Sequence, residues 1–312
     1  ARVSSFSNET KNELARIFPE NRCCQVAELS ALLRLNGQLE LNGSVKTLSI
    51  TTDNAGIARK AFKLFKVLFG FPLTVIMETK RRFNTSRYYQ VRANLDEQHL
   101  SILDKLGFID DDNRLIYGIK RGMLRKKCCK RAYLRGVFLA RGTVSNPGAN
   151  YHLEMVFPAY QLAVDVQRLA ESQGVSFRLT ERKNTFLLYL KDSEQIVDYM
   201  RVMGANYALL QFENVRIYKS MRNQINRQVN CETANLEKTL EASWRQVESI
   251  RRLIERLTVE GLPEQLRELA VLRLDYPDSS LKELGEMMSP PLSKSGVAYR
   301  MKKLEELSER LS

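Results

Sequence analysis

The feature that most constrains this chain is an internal repeat. At an offset of 105 residues Cys23-Cys24 falls on Cys128-Cys129, and the match continues without a gap. Ala27 meets Ala132, Leu29 meets Leu134, Ala31 meets Gly136, Gly37 meets Gly142 and Leu48 meets Leu153. Self-similarity at one fixed spacing marks a duplicated structural unit. Each copy must therefore fold the same way, and the two must bury their apolar faces together.

Local patterning gives the order of elements. In the first unit a helix over 25–35 ends at Gly37. Strands at 38–42 and 46–51 follow, with Asn42-Gly43 as a hairpin turn. Asp53 or Asn54 caps a helix that runs to Leu68 before Gly70. Strands at 73–80 and 88–93 and a short helix at 97–106 complete the unit. The second unit repeats this with helices at 130–140, 160–172 and 194–203 and strands at 143–145, 151–157, 176–181 and 186–190. The expected fold is α+β, an αββαββα unit present twice about a pseudo-two-fold axis.

Residues 206–230 read as a linker in which 215–229 is helix or partly strand, with a break expected at 230–235. Leu236, Leu240, Trp244, Val247, Ile250, Ile254 and Leu257 then keep helical spacing. Pro263 opens a helix, and Ser280 with Glu283 forms a capping box. Ser289-Pro290-Pro291 makes a turn, and Ser293 caps a final helix whose apolar stripe is Val297, Met301, Leu304 and Leu311, with Ser308 in register. This reads as a helix-turn-helix whose longer turn resembles that of sigma-factor region four, and an ordinary charged hairpin is the plainer reading. On the DNA-binding reading, Ser295, Tyr299 and Lys302 face outward to bases, Ala298 flanks that side, and Lys294, Arg300 and Lys303 lie near phosphates. Ser280 and Lys282 of the preceding helix lie near the backbone. The expected domains are 1–205 (units at 21–110 and 126–205), the linker 206–230, and 231–312.

Charge fits a polyanionic partner. The chain carries 49 Lys+Arg against 36 Asp+Glu, a net charge of +13. Cations near phosphates release condensed counterions, so double-stranded DNA is the favoured partner and an acidic membrane surface the rival. No apolar run reaches the ~20 residues of a membrane helix, so the expected location is the cytoplasm, at the nucleoid. The five cysteines do not form a disulfide framework. The two cysteine pairs could make a four-thiolate zinc site, but adjacent cysteines fit a tetrahedron poorly, so plain buried thiols without a metal are expected. His99 and His152 are too isolated for catalysis. No cofactor is expected.

Residues 29–37 (LSALLRLNG) and 134–142 (LRGVFLARG) both resemble the nonapeptide of the LAGLIDADG homing endonucleases. The small residues Ser30, Ala31, Gly136 and Ala140 would let the two helix backbones approach, bringing Asn36 and Arg141 together at their ends. The resemblance implies that this last position held a metal-binding acid. Here it is an amide and a guanidinium, so nuclease activity is not expected; the alternative is a displaced acid, Glu28, Glu40 or Glu154. It also implies a DNA-straddling saddle carrying Lys80, Arg81, Arg82, Arg87, Arg92, Arg178, Arg182 and Lys183, which could equally be a solvated surface or a protein- or ligand-binding one. The stretches CCKRAYLRG (128–136), NCETANL (230–236) and LKELG (281–285) make the whole chain resemble the bacterial WhiA family. That resemblance implies a DNA-binding transcriptional regulator of cell division and chromosome segregation, and of sporulation in some relatives. The protein partners would be a sigma factor, RNA polymerase or another regulator. An adaptor role in division is the alternative.

Overall fold

A computed structural model describes residues 5–42, 45–70, 72–81, 85–95, 101–112 and 114–311. The chain divides into two compact units, residues 1–219 and 220–312.

The first unit contains the duplicated fold. One repeat runs α2 (Arg22–Asn36), β1 (Gly37–Asn42), β2 (Val45–Thr52), α3 (Ala55–Phe69), β3 (Leu73–Arg81), β4 (Thr85–Leu95) and α4 (Ser101–Lys105). The other runs α5 (Lys127–Arg141), β5 (Gly142–Val144), β6 (Leu153–Phe157), α6 (Tyr160–Glu171), β7 (Arg178–Arg182), β8 (Thr185–Leu190) and α7 (Ser193–Met203). The sheets are antiparallel, in the orders β1-β2-β4-β3 and β5-β6-β8-β7, one topology used twice. Gly43 of the expected Asn42-Gly43 turn and the expected start of the helix at 97 lie outside the described residues, as does His99.

Alternation along the strands places Leu48, Ile50, Val91 and Ala93 in the core, as it does Leu153, Met155 and Leu188. Helices α2 and α5 lie at the centre, and their contact explains the small residues of the motif. A Cβ on Gly136 would stand 2.7 Å from the Glu28 carbonyl oxygen and 2.8 Å from Ala31 Cβ, so only glycine lets the backbones come this close. The closing glycines, Gly37 and Gly142, differ from the usual left-handed helix cap. Their φ values are −85° and −81°, and each chain passes directly from helix to strand. A side chain on Gly37 would collide with the Leu33 carbonyl, and one on Gly142 with Phe138. Crowding selects glycine at these two positions.

Two features depart from the sequence reading. Residues Phe6–Arg16 form an additional helix, α1, capped by the Ser5 hydroxyl and buried through Phe6, Thr10 and Leu14. No break interrupts residues 230–235: α8 is continuous from Asn206 to Leu257, so the strand reading of 215–229 and the expected boundary at 230/231 both fall inside a helix. Asn230, Thr233 and Asn235 are exposed, where a poor helix former costs little. Glu13 of α1 caps the start of α8, its carboxylate accepting from the amides of Tyr207 (2.7 Å) and Ala208 (2.9 Å).

The second unit packs α9 (Glu264–Asp275), α10 (Leu281–Met287) and α11 (Lys294–Arg310) on the end of α8, around Ile250, Leu253, Leu266, Leu269, Leu284, Val297, Met301 and Leu304. The capping box is present in both directions: Ser280 Oγ accepts from Glu283 N, and Ser280 N donates to Glu283 Oε2 at 2.7 Å. Buried Arg273 ties the α9–α10 turn, donating to the carbonyls of Pro277 (3.2 Å) and Ser279 (2.6 Å). Gly285 lets α10 receive the following turn; a Cβ there would collide with the Leu292 carbonyl, whose own amide donates to Gly285 O at 2.9 Å. Leu311, expected in the apolar stripe, caps α11 and is 36% exposed, whereas Ser308 is buried.

Candidate nucleic-acid interface and the paired helix ends

The ends of α2 and α5 meet as the motif spacing requires. Asn36 Nδ2 donates to Ala140 O at 3.3 Å, and Arg141 Nε donates to Leu35 O at 3.1 Å. Each side chain at the motif's acid position therefore bonds the backbone of the opposite helix. They face a cleft of about 580 Å³ also lined by Lys11, Gln38, Asp53 and Tyr88. Asp53 is the one carboxylate among the described lining residues; the sequence reading considered it only as a helix cap, a role that Asn54 fills. Lys11 and Arg141 accompany it. Burial, together with the Arg141 charge, lowers the Lys11 ammonium below the usual lysine range, while Asp53 acts in the opposite sense. One acid facing two cations is a poor seat for a divalent ion, which needs several oxygen donors.

The three acids weighed as substitutes are dispersed. Glu28 is fully buried in α2 and paired with Lys60 and Arg135. Arg135 grips it in a bidentate pair, Nε to Oε1 at 3.0 Å and Nη2 to Oε2 at 2.7 Å. Glu40 is exposed on β1, at the sheet edge opposite Thr47. Glu154 lies on β6 and contacts His152 Nε2 at 3.0 Å. These two do not occupy equivalent strands.

Strand register divides the expected saddle cations. On β4, Val91, Ala93 and Leu95 are buried, so Gln90 and Arg92 share the open face and Arg87 falls on the other. Arg92 donates to Gln90 Oε1 at 3.0 Å. Lys80 pairs with Ser86 and Arg81 with Thr85 at the strand end; Arg82 lies outside the described residues. On β7, Arg178 and Arg182 are exposed and stand opposite Tyr189 and Thr185. Lys183 and Asn184, with φ of 51° and 59°, form the two-residue hairpin between β7 and β8, and the paired left-handed residues match a type I′ turn.

In the second unit, α11 begins at the Ser293 cap, whose hydroxyl accepts from Gly296 N at 3.2 Å. Lys294, Ser295, Ala298, Lys302 and Lys303 are exposed, and Tyr299 is 62% exposed. Tyr299 and Lys303 form a cation–π pair, with the ammonium 4.7 Å from the ring centroid. Both line a groove of about 590 Å³ with Pro263 and Gln265 of α9, so α11 has two outward faces, one through Ser295, Ala298 and Lys302 and one through Tyr299 and Lys303. Arg300 is the exception to the expected phosphate set: it is half-buried and donates to Gln265 O at 3.0 Å, fixing α11 on α9. Ser280 is likewise engaged by its capping box, whereas Lys282 is exposed.

Three family models match the chain: a WhiA N-terminal LAGLIDADG-like domain over 22–109, a WhiA LAGLIDADG-like domain over 130–222, and a WhiA C-terminal HTH domain over 225–308. A relative from Heliobacterium modesticaldum, named probable cell division protein WhiA, is 46% identical over 309 residues, spanning 99% of this chain and 97% of its own. One of the same name from Syntrophomonas wolfei is 48% identical over 305 residues, 97% of each chain. The chain belongs to the WhiA family. The crystal structure of full-length WhiA from Thermatoga maritima has the same fold, with a TM-score of 0.62 at 24% identity over 98% of this chain and 99% of that one. The α+β duplication followed by a helical helix-turn-helix domain is thus the WhiA architecture.

In this member of the WhiA family the cysteine pairs also converge. Cys23 and Cys24 open α2, Cys128 and Cys129 open α5, and all four sulfurs lie within 4.8 Å of one another. Cys24 and Cys129 are buried, whereas Cys23, Cys128 and, in the second unit, Cys231 reach the surface. Burial pushes the Cys24 thiol up, and pushes that of Cys129 to about 11. A hydrogen bond with Cys24 lowers that of Cys128. The expectation of plain buried thiols is revised: two are exposed, and the four form one cluster. Among the described residues no helix is long and apolar enough to cross a membrane.

Proposed function

We propose that this chain is a sequence-specific DNA-binding regulator, and that its LAGLIDADG-like unit serves as a scaffold without nuclease activity. The carrying observation is α11. A serine-capped helix, fixed on α9 by Arg300, presents Ser295, Ala298, Tyr299 and Lys302 outward from a packed helical core. The family match to a helix-turn-helix domain and the charge of +13 support the same reading. Relatives named probable cell division protein WhiA support target genes that serve cell division, with action in the cytoplasm at the nucleoid.

The chemistry of the helix ends supports the reading of a scaffold without catalysis. Phosphodiester cleavage of the LAGLIDADG kind needs carboxylates to hold the ion that activates water. Asn36 Nδ2 and Arg141 Nε each donate to a backbone carbonyl of the opposing helix, neither residue offers a carboxylate, and a guanidinium repels a divalent cation. Selection of duplexes from a random library, followed by footprinting, tests the function. One recovered motif, protected by the full chain and not by a Ser295→Glu/Lys302→Glu variant that unfolds like the parent, is the expected result. Failure to enrich any motif, or equal protection by the variant, would reject it.

A further inference from the structure

We propose that Cys23, Cys24, Cys128 and Cys129 form a closed four-thiolate site for one thiophilic divalent cation of the zinc type, joining the starts of α2 and α5. The site lies at the opposite end of these helices from Asn36 and Arg141, and nothing in the DNA-binding reading uses it.

Geometry is the first argument. A zinc ion with Zn–S bonds of about 2.3 Å in a tetrahedron requires sulfurs about 3.8 Å apart. The four sulfurs already lie within 4.8 Å of one another, so each pair need close by only about 1 Å, a rotation about χ1. Vicinal cysteines are awkward ligands when one chain segment must supply a whole tetrahedron. Here each helix supplies a single edge. Successive helical side chains diverge by about 100°, and the second edge comes from the partner helix, held near by the Gly136 contact.

Symmetry is the second. The repeat relates Cys23 to Cys128 and Cys24 to Cys129. The thiol contacts cross between the helices in the same sense, Cys24 with Cys128 and Cys129 with Cys23. The pairs therefore meet across the pseudo-two-fold axis, as opposite edges of a tetrahedron do. An iron–sulfur cluster, itself several times larger than one ion, would need the sulfurs spread further apart.

Electrostatics is the third. Four thiolates around a divalent ion carry a net charge of 2−. The cysteines occupy the first turns of two helices, where the macrodipole favours negative charge. Neither Asn21 nor Lys126 caps its helix through a side chain. Residues 120–135 contain eight cations and no acid. Binding is a plain ligand exchange: each sulfur forms a bond to the cation and any thiol proton is released to solvent, with no change of oxidation state. Four protein ligands leave no open position, which makes the site structural.

The test uses the full chain, purified without chelator from zinc-supplemented cells. The expected result is one zinc per chain by elemental analysis, with Cys231 the only thiol that reacts rapidly with a disulfide reagent; chelation then exposes Cys23 and Cys128. Cobalt added to the stripped chain should give the intense visible absorption of a tetrahedral thiolate complex. Cys23→Ser/Cys128→Ser changes two surface positions, so the helical circular dichroism should be retained while cobalt affinity falls by roughly 100-fold or more. Three results would overturn the proposal: a stripped chain whose thiols are equally reactive with and without zinc, disulfides among the four found by non-reducing mass spectrometry, or unchanged cobalt binding by the double variant.

Discussion

Glu28→Gln tests how the duplicated unit is held together. The carboxylate is fully buried between Lys60 and Arg135, whose side chains are 1% and 11% exposed. Lys60 Nζ also donates to Leu14 O at 2.9 Å and Ile17 O at 2.5 Å, and Arg135 Nη1 donates to Met203 O at 3.2 Å. One anion therefore neutralises two cations that join α3, α5 and the end of α7 to α2. Glutamine keeps the shape and removes the charge, leaving both cations buried with only dipoles around them. Removing one partner of a buried pair costs about 3–5 kcal/mol. For a unit of this size, each kcal/mol lowers Tm by about 2–4 °C, so a fall of at least roughly 6 °C is expected in the first-unit transition. Calorimetry that resolves the two units is the assay. The cost should shrink at alkaline pH as Lys60 neutralises, and adding Arg135→Met should recover much of it by removing the cation that cannot deprotonate. A loss under about 1 kcal/mol, or no recovery in the double variant, would refute the argument.

The same lysine gives a pH prediction. Burial pushes Lys60 down to about 8 against the ordinary lysine value of 10.5. Between these values the unfolded chain holds a proton that the folded chain lacks, so stability should rise with pH through that window; relative to Lys60→Met, a flat difference curve in urea unfolding would contradict it. Gly285→Ala places a methyl against the Leu292 carbonyl and should destabilise the second unit by about 1–3 kcal/mol in the same calorimetry. With Lys282, Lys294, Lys302 and Lys303 exposed, log–log salt plots of DNA affinity should have a slope of roughly −3 to −4, reduced by about 0.9 in Lys294→Ala. Tyr299→Ala should weaken the selected duplex by about 1–3 kcal/mol with little effect on unrelated DNA, as read by competition binding.

The sequence was most informative where one regular signal repeats. The offset that aligns the cysteine pairs also aligns the element order, and two antiparallel sheets with one topology follow from it. Helical phase was enough to bring Asn36 and Arg141 together, because both positions end helices that had to pack through Ser30, Ala31 and Gly136. Pairings between distant segments were not legible. Glu28 looks like an ordinary helical acid until Lys60 and Arg135 close on it. The facing of Arg87 depends on strand phase, which a one-residue change of register reverses. The expected break at 230–235 rested on cap-prone Asn and Thr, which on an exposed helix merely lower propensity. Asp53 carried only a helix-cap signal, and the sulfur cluster required the distance between two helix starts. A spacing rule written for one chain segment does not supply that distance.

The most direct measurement combines binding and cleavage on one end-labelled duplex. The full chain is incubated with its selected DNA in Mg²⁺ or Mn²⁺, and both strands are resolved on a denaturing gel beside the footprint. The account predicts a protected site that depends on Ser295 and Lys302, with both strands intact. Metal-dependent cuts within the protected site, abolished by Asp53→Asn or Glu154→Gln, would contradict it.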